Sequence, residues 1–166
     1  VPYYFWGAYN ISEMNSSTNV TRHPTVDDDK KSPARVFTAN NTPSFVNSFD
    51  NLPMPTEDFV RNFGRRMHHM AFAVQDGHVA TEKNVDYVVR ELQELGTDFL
   101  AHVVGECKDE PNLKQIFSKS SKFSMLITEY VERCHGYEGF FTRGNVAALT
   151  AAAGEAERYV HGHVFD

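Results

Sequence analysis

The sequence predicts an α+β domain whose central unit runs strand, helix, strand, strand, strand. Three observations carry this expectation. Residues 67–74 read as a strand, with Met70, Phe72 and Val74 alternating with Ala71 and Ala73 at the period of two that a strand imposes. Residues 82–95 place Val85, Val88, Val89, Leu92 and Leu95 on one helical stripe, between Thr81 as a cap and Gly96 as a stop. Three further apolar runs follow at 99–106, 113–118 and 123–133, each of strand length. Residues 67–141 thus read as a βαβββ module. Residues 1–66 read as a partial preceding module of strands and loops, and residues 142–166 as a helix and tail.

Composition agrees with a packed chain. The 166 residues are 41% hydrophobic and 23% charged, which excludes a disordered chain, a collagen and a disulfide scaffold. A chain of this size buries roughly 70% of its unfolded surface and needs no metal to fold. No apolar run approaches the ~18 residues of a membrane helix, so no membrane partner is expected. A net charge of −6 argues against nucleic acid. The best basic cluster, Arg61 with Arg65 and Arg66, is small. Cys107 and Cys134 fit a reducing compartment, and with no secretory signal the expected location is cytoplasmic.

Along the chain, an aromatic cluster (Tyr3, Tyr4, Phe5, Trp6, Tyr9) opens the first part. Asn10 to Pro33 is polar and reads as loop or a poorly ordered hairpin. Arg35–Ala39 and Ser44–Val46 read as short strands about an Asn-Asn-Thr-Pro turn, and Thr56–Phe63 as a short helix after Pro55. The sequons at Asn10, Asn15, Asn19 and Asn40 reflect the abundance of Asn, Ser and Thr rather than glycosylation. The strand at 67–74 ends at an Asp76-Gly77 turn, and the helix and three strands follow. Residues 145–158 are Ala-rich and read as a last helix.

Three polar residues fall among apolar ones. In the first strand of the module, His68, Met70, Phe72 and Val74 form a greasy face suited to packing under the helix. The other face has Met67, His69, Ala71 and Ala73, and its small side chains leave room beside His69. In the last strand Glu129 lies between Ile127 and Val131, where a carboxylate is costly unless paired or bound to a metal. Arg133, four residues on, is too far along the strand to pair with it. Gln115 sits between Leu113 and Phe117 and can orient a polar substrate without competing for a metal. If these faces are one side of one sheet, His69, Glu129 and Gln115 converge. Histidine and carboxylate with open positions suit a non-haem Fe(II) centre.

These residues resemble a known family. Phe59-Val60, Gly64 and Met67-His68-His69-Met70-Ala71-Phe72 look like the strand that carries the second iron histidine in 4-hydroxyphenylpyruvate dioxygenases. Leu113-Lys114-Gln115-Ile116-Phe117-Ser118 is similar to that family's Leu-Gln-Ile-Phe-Thr strand. Ile127-Thr128-Glu129-Tyr130-Val131-Glu132-Arg133 resembles the strand bearing its iron-ligating Glu. Gly139-Phe140-Phe141-Thr142-Arg143-Gly144-Asn145 looks like its Gly-Phe-Gly-x-Gly-Asn segment. The resemblance implies the vicinal oxygen chelate fold of the glyoxalase, bleomycin resistance and dioxygenase superfamily, with paired βαβββ modules, a curved sheet and helices on its outer face. It implies Fe(II) held by His69 and Glu129. Gln115 would be the catalytic orienting residue. Asn51, Phe117, Phe140, Phe141, His68 and Arg35 would line the substrate pocket. The implied substrates are an aromatic 2-oxoacid and dioxygen, as in aromatic amino acid catabolism.

The departures are specific. The family's first iron histidine falls before residue 1, so the chain resembles the last part of an enzyme about twice as long. The third ligand would come from that preceding module or from another chain, as in a homo-oligomer. His23, in an Arg-His-Pro-Thr loop, is a poor substitute. The family's Gln before the ligand histidine is His68 here, and Arg35 stands where a serine is usual. Two other readings remain open: a non-catalytic domain of the same fold, and a divalent-metal isomerase or lyase.

Overall fold

In the computed structural model, residues 4–11, 16–22, 34–41 and 55–156 are described. The chain divides into two compact units, residues 1–64 with 159–166, and residues 65–158. No helix among the described residues is long and apolar enough to cross a membrane.

The first unit holds an antiparallel meander of β1 (Tyr4–Ile11), β2 (Ser16–Arg22) and β3 (Arg35–Asn40), followed by α1 (Pro55–Phe63). The polar run after Asn10, read as loop or a poorly ordered hairpin, contributes the end of β1 and all of β2, which pair antiparallel. In β2, Ser16, Thr18 and Val20 are buried in alternation, so the period of two is written in hydroxyls as much as hydrocarbons. Thr18 and Thr38 pair across the strands at 3.0 Å between hydroxyls. Asn40 donates to Glu57 at 3.2 Å and ties α1 to the meander. The expected strand at 44–46 and its turn lie outside the described residues.

The second unit contains β4 (His69–Val74), the small pair β5 (His78–Val79) and β6 (Glu82–Lys83), α2 (Asn84–Glu94), β7 (Asn112–Phe117), β8 (Ile127–Cys134) and α3 (Arg143–Ala156). The sheet order is β4-β8-β7, with β4 parallel and β7 antiparallel to β8. The run at 99–106 is strand-like only at its ends, where Phe99 bridges Ser118 and Val104 bridges Gln115. Gly105 explains part of this. It has φ +87°, and a Cβ there would lie 2.1 Å from the Leu113 carbonyl, so the backbones touch where only glycine fits.

Each sheet face has its own core. Val85 and Val89 of α2 pack with Ile116, Val74 and Tyr130 on one face. Leu149 of α3 packs with Phe117 and Ile127 on the other. The greasy face expected of β4 is covered only at Val74, because β4 is an edge strand; Met70 and Phe72 stay 43% and 51% exposed.

The start of α2 departs from the expected Thr81 cap. Its N-cap is Lys83, without a side-chain capping bond. The role passes to Glu132 on β8, which is fully buried and accepts the Val85 N–H at 2.7 Å and the Gly77 N–H at 3.1 Å. The Lys83 ammonium lies 3.3 Å from Glu132 and 2.8 Å from Asp76. Asp76 in turn accepts the His135 N–H at 2.8 Å. Cys107 and Cys134 are joined in a disulfide with a Cα–Cα distance of 5.7 Å. That pairing removes the cysteines as a sign of a reducing compartment.

Candidate metal centre

Register alone assembles the centre. His69 pairs with Ile127, Ala71 with Glu129, and Phe117 with Glu129, while Gln115 pairs with Val131. Paired residues share a face, so His69, Glu129 and Gln115 lie on one side of the sheet, with Ala71 and Ala73 as small neighbours. His69 Nε2 stands 3.3 Å from Glu129 Oε2. Gln115 Nε2 donates to Glu129 Oε1 at 2.9 Å. Glu129 and Gln115 are 2% and 1% exposed. Gln115 Oε1 is buried without a hydrogen-bond partner among the described residues. A buried carbonyl oxygen left unpaired is costly, and it marks where a ligand can present a donor.

His68 does not lie on the helix-covered face as alternation suggests. Strand β4 begins only at His69, so alternation does not bind the preceding residue. Its carbonyl accepts the Ile127 N–H at 3.1 Å, and its ring meets His69 edge-on at 5.2 Å. Burial, with His69 beside it, lowers the His68 pKa to about 4. Phe117 supports both rings, with centroids 4.9 Å from His69 and 6.3 Å from His68. It is itself packed against Ile127 and Leu149.

The other expected pocket residues have the following places. Phe140 and Phe141 lie in the turn after β8 with rings 4.4 Å apart. Arg133 donates to the Gly139 and Phe140 carbonyls at 3.1 and 3.2 Å, and Tyr137 donates to the Phe141 carbonyl at 2.9 Å. Arg133 is thus a clamp on the segment leading into α3. Its place on the same β8 face as Glu129 is the sequence signal for it. Arg35 belongs to the first unit and is exposed at the start of β3. Asn51 and His23 lie outside the described residues.

The donor set fits a divalent cation. Two ligands at right angles with bonds of ~2.1 Å stand about 3 Å apart, close to the separation of His69 Nε2 and Glu129 Oε2. Asp76, Glu132 and Cys134 also cluster within ligand distance of one another. That group does not suit a metal, because Cys134 is in the disulfide and Glu132 is occupied by two backbone N–H groups and Lys83.

No protein-family model and no curated protein matches the chain. Solved structures do. A triple mutant of 4-hydroxymandelate synthase from Streptomyces coelicolor superposes with a TM-score of 0.61 at 18% identity, over 93% of this chain and 47% of that one. Methylmalonyl-CoA epimerase in complex with methylmalonyl-CoA superposes with a TM-score of 0.54 at 13% identity, over 82% of this chain and 81% of that one. A hypothetical protein from Bacillus halodurans gives 0.52 at 12% identity. The fold is therefore the vicinal oxygen chelate fold. The chain spans about half the length of the synthase.

Proposed function

We propose that this chain is the C-terminal part of an Fe(II)-dependent dioxygenase acting on an aromatic 2-oxoacid, of the 4-hydroxyphenylpyruvate dioxygenase type. The observation that carries the reading is the pairing of His69 and Glu129 at 3.3 Å beside an unpaired Gln115 carbonyl oxygen. His69 and Glu129 would hold the metal, and a third ligand would come from a preceding module or a second chain. Bound there, Fe(II) would supply the oxygen chemistry and a chelation point for the oxoacid. The chain's own residues would do the rest. Gln115 Nε2 holds Glu129 in place, and its Oε1 accepts a donor from the substrate. Phe117 and Leu149 keep that side of the site dry. Phe140 and Phe141, on the segment clamped by Arg133, would contact the aromatic ring.

One observation favours a second reading on the same fold, a divalent-metal isomerase. The epimerase is matched over four fifths of both chains, whereas the synthase is matched over only half of its own. Anaerobic titration of the chain with Fe(II) tests the metal reading. One equivalent should bind, and His69→Ala and Glu129→Ala should each abolish it; binding indifferent to both would overturn it. Oxygen uptake with an aromatic 2-oxoacid, by the full-length protein, separates dioxygenase from isomerase.

A further inference from the structure

Four Asn-x-Ser/Thr sequons stand in the first unit, at Asn10, Asn15, Asn19 and Asn40, and the structure separates two of them. On β2, Ser16, Thr18 and Val20 are buried while Asn19 is exposed. Alternation therefore places Asn19 on the outer face of the meander. Its register partner on β3 is Phe37, which is 60% exposed. Cross-strand partners hold their Cβ atoms ~5 Å apart, so a group joined to the Asn19 amide would lie against an exposed aromatic ring. Asn40 pairs with buried Ser16 and so sits on the other face. Its Nδ2 donates to Glu57 of α1 and its Oδ1 is buried. A sugar has open space at Asn19, whereas at Asn40 it would have to enter between β3 and α1. The second observation is the Cys107–Cys134 disulfide, whose Cys134 has no exposed surface. A bond enclosed in this way forms as the chain folds, and such bonds persist in oxidising compartments. Those are the compartments in which sequons are glycosylated.

We propose that Asn19 carries an N-linked glycan, added in an oxidising secretory compartment. The donor is an oligosaccharide on a polyisoprenyl diphosphate, and a transferase of the host catalyses the step. Asn19 Nδ2 bonds to the anomeric carbon of the first N-acetylhexosamine as the bond from that carbon to the diphosphate oxygen breaks. The diphosphate leaves with the electron pair, one Nδ2 proton is released, and nothing is oxidised or reduced. Thr21 supplies the hydroxyl that the sequon requires. In the fold that hydroxyl donates to the Arg35 carbonyl at 3.2 Å, so transfer precedes the pairing of β3 with β2. Once the meander has formed, the C–H face of the sugar covers the Phe37 ring. Arg35 pairs with Thr21 on this same face, so the glycan also assigns Arg35 to a solvent face rather than to a substrate pocket. The proposal is independent of the metal centre, whose residues belong to the second unit.

The test uses the protein from its natural source. Peptide-N-glycosidase in heavy-oxygen water turns a glycosylated Asn into labelled Asp, and peptide masses locate the label. The label should appear at residue 19 and not at residue 40. Without reductant, the peptides holding Cys107 and Cys134 should be found joined. Asn19→Gln and Thr21→Val, each made as the full-length protein in the same cells, should lose this glycan, while Thr21→Ser should keep it. Asn19 is exposed, so Asn19→Gln should leave the circular dichroism spectrum of the enzymatically deglycosylated protein unchanged. An unlabelled Asn19 would overturn the proposal, as would a label at Asn40 without one at Asn19, or a glycan on Asn19 that survives Thr21→Val. Free thiols at both cysteines together with an unlabelled Asn19 would overturn it and return the chain to a reducing compartment.

Discussion

Replacing Glu132 with glutamine removes one charge from the best-satisfied carboxylate in the second unit. Glu132 Oε2 accepts the Val85 N–H, and Oε1 accepts the Gly77 N–H and lies 3.3 Å from the Lys83 ammonium. Glutamine keeps the shape but has one oxygen. Its NH2 group must face either the Val85 or the Gly77 N–H, donor against donor. One charge-assisted bond is lost outright and a buried N–H is left unpaired, each worth roughly 1.5–3 kcal/mol. Lys83 keeps Asp76 at 2.8 Å, which limits the damage. The sum is about 3–5 kcal/mol, a large share of the ~5–15 kcal/mol a domain possesses. At 2–4 °C per kcal/mol, the midpoint should fall by about 10 °C. Thermal melts followed by circular dichroism measure that shift, and urea unfolding shows the same loss as a lower midpoint at unchanged slope. Glu129→Gln is the companion. Its partners are side chains, His69 and Gln115, that can turn to meet an amide. Stability should stay within about 1 kcal/mol, while the metal binding proposed for His69 and Glu129 should be lost. A loss below about 1 kcal/mol for Glu132→Gln would refute the assignment of Glu132 as the distant cap of α2.

Three further outcomes follow from particular contacts. Gly105→Ala drives a Cβ to 2.1 Å from the Leu113 carbonyl at φ +87°, and should cost about 2–4 kcal/mol in the same urea assay; an unshifted melt would mean the 99–106 run does not cross β7 this closely. The Cys107–Cys134 bond spans 27 residues, so the chain-entropy argument gives it roughly 3.5 kcal/mol. Thermal melts of the wild type with and without dithiothreitol should differ, and those of Cys107→Ser should not; equal melts for the wild type would show that the bond is not formed. The hydrogen bond from Lys83 holds the Asp76 carboxyl below its ordinary value of 3.8. A depressed carboxyl stabilises the fold above its unfolded value, and that contribution is lost as pH falls through the folded one. Stability should therefore fall below pH 3.8, and Asp76→Asn should flatten that acid limb; an equally steep limb in the variant would assign it to other carboxyls.

That His69, Gln115 and Glu129 share one face was legible in the sequence because a strand face is readable from alternation alone. His69, Gln115 and Glu129 each interrupt an apolar face, and β4, β7 and β8 pair so that the three faces coincide. What alternation could not give is where a strand begins. That is why His68, one residue before β4, turns up beside His69 rather than under α2. Composition left loop and hairpin undecided at β2, because the buried hydroxyls of Ser16 and Thr18 disguise the alternation. The bond between Cys107 and Cys134 was illegible for a third reason, since residue spacing says nothing about which ends of a sheet meet.

The two buried carboxylates show where reasoning from burial stops. A carboxylate among apolar neighbours drew attention to Glu129, yet Glu132 is the more deeply buried of the two. Its sequence neighbours gave no signal, because its partners are backbone N–H groups at 77 and 85, brought to it by the packing of α2 on the sheet. Burial thus identifies a carboxylate that needs partners without saying whether they are structural. The difference lies in what surrounds each group. Glu132 is satisfied by backbone donors and an ammonium that cannot leave without unfolding the helix start. Glu129 is held by two side chains, one of them an imidazole about a quarter exposed, next to a carbonyl oxygen with no donor among the described residues. A structural network closes its own valences, as the one around Glu132 does. The network around Glu129 leaves one open, and that open acceptor argues for a ligand more strongly than the buried charge itself.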